Sequence, residues 1–160
     1  MIRASDASRG SIYYHFPWGK DELVAAAMGR QLDRVLDRLD SADLSSPRQL
    51  VEWSVAGWRA VLAANDFAAD CSLLAVSASP GSILREQAGP IFRRRREHLA
   101  AVFTRTGVAE RDARPFAAQL LAATDGAVVI ARAVRSYEPL DLVEQRLVEQ
   151  SHQLGRASPE

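Results

Sequence analysis

The chain has 160 residues, 48% of them hydrophobic and 25% charged, and its 20 basic residues are balanced by 20 acidic ones for a net charge of zero. That length suits one substantial core, or a small headpiece with a larger domain, and the balanced charge excludes a uniformly basic protein that holds nucleic acid by charge alone. The single Cys71 excludes an internal disulfide, and His15, His98 and His152 stand too far apart for a metal-ligand pattern, so neither metal nor cofactor is expected.

Residues 1 to 7 read as the tail of a helix and a turn, with Asp6 in a position that tolerates positive φ. A short helix follows from Ser8, whose hydroxyl can accept from an amide of the first turn, to Phe16, where Pro17 disfavours helical geometry. Ile12 and Phe16 are four apart and share one apolar face, leaving Arg9, Gly10, Ser11, Tyr13, Tyr14 and His15 on the remainder. Gly19 permits a turn, and Asp21 and Glu22 suit the positive end of a second helix. A short helix with a small apolar footing and a polar, aromatic outer face is the kind placed in the DNA major groove by helix-turn-helix proteins.

The stretch Ser8-Arg9-Gly10-Ser11-Ile12-Tyr13-Tyr14-His15-Phe16-Pro17-Trp18-Gly19-Lys20-Asp21-Glu22-Leu23 resembles the recognition helix and following turn of the tetracycline-repressor (TetR) family. The family pattern there is Ser-x-Gly-Ser/Thr-Leu/Ile-Tyr-x-His-Phe followed shortly by Lys-x-x-Leu. The resemblance implies DNA contact by Ser8, Arg9, Gly10, Ser11, Tyr13, Tyr14, His15 and Lys20, with Tyr13 and Lys20 on phosphates and Ile12 and Phe16 in the core. Lys20 is the only lysine among the 20 basic residues, and it stands where the pattern has a phosphate-binding lysine. The family's first helix and most of its second would lie upstream of Met1. The expectation is therefore that these 160 residues, taken alone, bind operator DNA poorly while the body folds and dimerises.

From Lys20 to about Asp40 runs an amphipathic helix with Leu23, Ala27, Leu32, Val35, Leu36 and Leu39 on one side and Arg30, Asp33, Arg34, Asp37 and Arg38 on a charged face. In the resembling family this helix joins headpiece to body, which sets the expected division at 1–40 and 41–160. Ser41 to Pro47 is a polar loop, and a helix from 48 to 65 carries Leu50, Val55, Trp58, Val61 and Leu62 at helical spacing. A short apolar helix is expected around Cys71 to Val76, before a break at Ser79-Pro80-Gly81-Ser82. A helix over 83–106 contains four consecutive arginines, Arg93 to Arg96. These span about 300° of helix and cannot all point one way, so the run reads as exposed and snorkelling side chains mixed.

Two further helices are expected, at Glu110 to Arg135 and Leu140 to Gly155, and no apolar pattern recurs at two, so the fold class is all-α. The longest apolar stretch, Phe116 to Val134, is interrupted by Gln119, Asp125 and Arg132 and reads as a buried helix rather than a bilayer span. With no secretion signal at the start, the cytoplasm is the expected compartment. Ala117, Leu121, Thr124, Val128 and Ala131 in one helix, and Leu140, Val143, Leu147 and Leu154 in the other, form two seams. Spacing alone allows both seams to face their own core. The family resemblance implies that they pair with a second copy in a four-helix dimer interface.

Trp53, Trp58, Phe67, Leu74, Phe92, Phe103 and Phe116, with Cys71, Thr124 and Asp125 nearby, can furnish an apolar ligand pocket, although core packing comes first for any single aromatic. Asp125 in an apolar helix needs a partner: Arg132, a dimer mate, a ligand, or simply a buried ion pair. The segment from Trp58 to Phe67, Cys71-x-Leu73-Leu74 and Asp125-Gly126-Ala127 resemble the TetR branch grouped with the lincomycin-resistance regulator LmrA. That branch implies a repressor that binds a palindromic operator as a homodimer and leaves it when a small, largely apolar effector enters the body. The alternative is a dimeric effector-binding protein that has lost DNA binding. No nucleophile-base pair, paired carboxylates or phosphate loop supports an enzyme.

Overall fold

A computed structural model describes residues 20–68 and 83–154 of the chain. Among them are five helices and no strand: α1 (Lys20–Asp40), α2 (Pro47–Ala64), α3 (Ile83–Arg105), α4 (Glu110–Val134) and α5 (Glu138–Ser151). The expected short helix at Cys71 to Val76 and the recognition stretch lie outside the described residues.

Local chemistry explains the helix ends. Asp21 and Glu22 occupy the first turn of α1, favourable against its positive dipole end. Ser46 caps α2 in a reciprocal box: its hydroxyl accepts from the Gln49 amide, the Gln49 side chain accepts from the Ser46 amide, and Pro47 opens the helix without losing a needed donor. Gly107, at φ 92, ends α3 in a left-handed conformation that costs glycine little. Arg135 closes α4 at φ 51, and Asp66 and Phe67, just past α2, have φ 47 and 59. These two strained corners are fastened together. Arg135 Nη2 donates to both Asp66 carboxylate oxygens at 2.9 Å, and the Phe67 ring lies 4.8 Å from that of Tyr137.

The core sits where α3 runs along α4, while α5 packs on α2 and α4 and α1 lies against α3. Phe103 and Phe116 meet edge to face at 5.0 Å in its centre, with Leu50, Val51, Leu120 and Leu147 around them. A second cluster joins Val55 and Leu62 of α2 to Ala127, Val128 and Ala131 of α4 and Leu140 of α5. Of the described residues, only α4 is long and apolar enough to cross a bilayer, and its buried face, Asp125 included, is core.

The attachment of α1 is of a different kind. Its buried side is Met28, Leu32, Leu36 and Leu39, so Met28 takes the place expected for Ala27, which is exposed. Along α3 it is tied by Asp33 to Arg94 at 2.6 Å, and by Asp40 to His98 at 2.9 Å and to Arg105 at 3.3 Å. Pairs this exposed each contribute little, about 0–1 kcal/mol, so α1 is held mainly by its buried apolar side, whose Leu39 enters the main core.

Candidate functional site

The arginine run of α3 disperses as its helical geometry requires. Arg93 and Arg94 are exposed, Arg95 and Arg96 half-buried. Arg95 turns inward, and its Nη1 donates to Asp125 Oδ1 and Oδ2 at 3.1 and 3.3 Å, with its guanidinium 5.8 Å from the centre of the Trp58 ring. The partner that Asp125 needed is thus Arg95 on the neighbouring helix, not Arg132 of its own. Burial pushes the Asp125 carboxyl above its ordinary 3.8, and the charge and hydrogen bond of Arg95 pull it only part of the way back.

Beside this pair a groove of about 580 Å³ opens between α3 and α4. Phe92, Arg93 and Arg96 come from α3; Ala118, Leu121, Ala122, Asp125, Gly126 and Val129 come from α4. The α4 residues recur at three and four, so one stripe of that helix makes the whole wall. Phe92 has a double position: it lines the groove, and it also packs on the small cluster of Met28 and Ala88 that joins α1 to α3. The groove has the size of a small-molecule site, and its residues are mainly apolar with a few charged groups.

The residues expected to line a pocket divide among three places. Phe92 and Asp125 border the groove, whereas Trp58 stands behind it, against the Arg95 that pairs with Asp125. Phe103 and Phe116 are closed inside the main core, Trp53 packs on it, and Phe67 is engaged at the strained corner. The Thr124 hydroxyl donates back to the Leu120 and Leu121 carbonyls of its own helix, so it has no hydrogen to offer a ligand. Cys71 and Leu74 lie outside the described residues. The sequence reading missed Arg93, Arg96, Ala118, Ala122, Gly126 and Val129 as groove residues. A signal was available: Arg93 and Arg96 are three apart beside Phe92, and a stripe of small residues flanks Asp125 at helical spacing.

The seams need correction as to face. Ala117, Leu121, Thr124, Val128, Ala131, Leu140 and Leu147 are buried inside a single protomer, and Val143 and Leu154 pack partly against the same cores. Spacing identifies residues that share a helix face but not what the face meets. Among the described residues the large apolar side chains most exposed are Val129, Ile130 and Val134 of α4 and Leu142 of α5, at 48, 54, 57 and 60%, with Val61 of α2 next at 37%. Ser8, Arg9, Gly10, Ser11, Tyr13, Tyr14 and His15 lie outside the described residues, and Lys20 is the first residue of α1. Among the described residues no group of three or more metal-ligating side chains comes together.

Residues 47–146 match the family model described as transcriptional regulator LmrA/YxaF-like, C-terminal domain. Two uncharacterised HTH-type transcriptional regulators of Mycobacterium tuberculosis, MT0206 and Rv0196, are each 30% identical to the chain, over 92% of it and 79% of their own length. The chain belongs to the TetR family of transcriptional regulators, with an LmrA/YxaF-like C-terminal domain, and that family is not enzymatic. Its fold is also that of a TetR transcriptional regulator from Legionella pneumophila, at TM-score 0.72 and 21% identity over 94% of this chain and 83% of the other.

Proposed function

We infer that the protein is a cytoplasmic repressor that binds an inverted-repeat operator as a homodimer and leaves it when a small, mainly apolar effector enters the α3–α4 groove. The observation that carries this reading is the position of Phe92, which touches both the groove and the cluster under α1. A ligand that displaces Phe92 shifts Met28 and with it the first half of α1, while Leu39 in the main core and the ion pairs of Asp40 hold its far end. Since α1 begins at Lys20, directly after the recognition stretch, its tilt changes the spacing of the two recognition helices of a dimer. The coupling is reciprocal and typically 5–150-fold in affinity.

For the dimer, the corrected face is supported by Ile130, Val134 and Leu142, which no described residue covers. Ile130 and Val129 are separated by about 100° around α4, so a second copy seated on Ile130 leaves the groove beside it open. In DNA selection from a random pool by the protein with an intact headpiece, an inverted repeat with half-sites about 34–36 Å apart, or a multiple of that, is expected to be enriched. Lys20→Ala weakens binding to every sequence, whereas Arg9→Ala alters base preference. Phe92→Ala keeps operator binding and loses ligand release. Enrichment of no repeat, or undiminished release from Phe92→Ala, would refute the reading.

A further inference from the structure

We propose that the α3–α4 groove selects an amphipathic anion, with an apolar body along α4 and one carboxylate-like head held by Arg93 and Arg96. This rests on the effector reading above and adds the charge of the ligand to it.

The charges around the groove point to an anion. Its lining holds two arginines and one acid, and that acid is already occupied, since both Asp125 oxygens accept from Arg95. A cationic ligand would have to displace Arg95 to reach Asp125. An anion displaces nothing. Arg96 has a buried Nε with no hydrogen-bond partner among the described residues, and its ion pair is a 3.8 Å approach to Glu97, its exposed chain neighbour. A buried donor left unpaired is costly, and turning the Arg96 guanidinium onto an anion in the groove would pair it.

Arg93 supplies the second half of the head site. It lies three residues before Arg96 on the same helix side, and its Nη1 comes within 3.5 Å of where a Cβ on Gly89 would stand. The guanidinium therefore lies close along its own helix, at a distance that even a Cβ on Gly89 would tolerate. A planar fork of donors matches a carboxylate in two-point fashion, so a carboxylate gains more here than a neutral hydroxyl of equal length. The opposite wall, Ala118, Ala122 and Val129, has no group to hydrogen-bond the remainder of the ligand, which selects an apolar tail.

The test is calorimetric titration of the full chain with sodium dodecanoate, dodecan-1-ol and dodecyltrimethylammonium below their micellar concentrations. Dodecanoate is expected to bind at least about tenfold more tightly than the alcohol, with the cation weakest. Arg93→Gln with Arg96→Gln should bring dodecanoate to the level of the alcohol, while Arg94→Gln, which faces Asp33, leaves it unchanged. Arg96→Lys, which keeps the charge, should retain part of the preference. Equal binding of acid and alcohol overturns the inference, as does a loss in Arg94→Gln equal to that in Arg96→Gln. Ala122→Trp should block dodecanoate and leave the sedimentation coefficient unchanged. If instead it dissociates a dimer whose wild type takes up no dodecanoate, the groove is occupied by a second copy and the inference fails. Arginine-dependent dodecanoate binding that leaves operator affinity unaltered upholds the anion site and refutes the release reading. Operator release by a neutral compound, with no dodecanoate binding, does the reverse.

Discussion

Replacing Arg95 with Met tests the chemistry at the centre of the body. The substitution keeps an unbranched chain of similar reach but removes the charge that faces Asp125, whose side chain is only 5% exposed. Breaking a buried pair by deleting one partner costs about 3–5 kcal/mol, and the lower end applies here because the orphaned carboxyl can take up a proton. For a chain of this length, a loss of about 3 kcal/mol corresponds to a melting temperature lower by roughly 6–12 °C. The pH dependence has a definite sign. Burial already raises the Asp125 carboxyl above 3.8 against the pull of Arg95, so removing Arg95 raises it further. A folded-state pKa above the unfolded value means that the native state binds the proton more readily, so stability increases as pH falls through the folded pKa toward 3.8. Urea unfolding of both proteins from pH 8 to pH 4.5 should therefore show a deficit in Arg95→Met that is largest at neutral pH and shrinks on acidification. The double variant Arg95→Met/Asp125→Leu should recover most of the loss, because it leaves no charge buried. A deficit below about 1 kcal/mol at pH 7, or one that does not change with pH, would refute the account of this pair.

Ile130→Glu should dissociate the homodimer in sedimentation while leaving the circular dichroism spectrum intact, whereas Leu147→Glu, at a position only 2% exposed, should unfold the protomer because the charge is forced into the core. Desolvation raises the pKa of Asp40, but the hydrogen bonds and charges of His98 and Arg105 together prevail and hold it below 3.8. Its contribution is therefore present above the unfolded value and lost as pH falls through the folded one, so the stability difference between wild type and Asp40→Asn should shrink as the pH is lowered from about 4 through the folded pKa. Ser46→Ala removes one arm of the α2 capping box and should cost about 1 kcal/mol in the same urea experiment, with Ser46→Gly milder.

The family was legible in one stretch, because the residue types from Ser8 to Leu23 resemble the family's recognition-helix pattern. The helices were legible too. The first was expected at Lys20 to Asp40 and is found there, and Ser46-Pro47 and Gly107 mark ends through capping and backbone chemistry that acts within a few residues. What the sequence did not contain was the identity of the surface opposite each helix. The seams through Leu121 and Leu147 have the spacing of a dimer contact, yet they close the protomer's own core, and the apolar side chains left exposed lie elsewhere on α4, at Ile130 and Val134. The partner of Asp125 was equally hidden, since Arg95 is thirty residues away in the chain and reaches it only because α3 lies along α4. Periodicity belongs to a single helix and is written locally. Pairing, burial and the shape of a groove belong to two or more helices at once, so tertiary packing alone decided them.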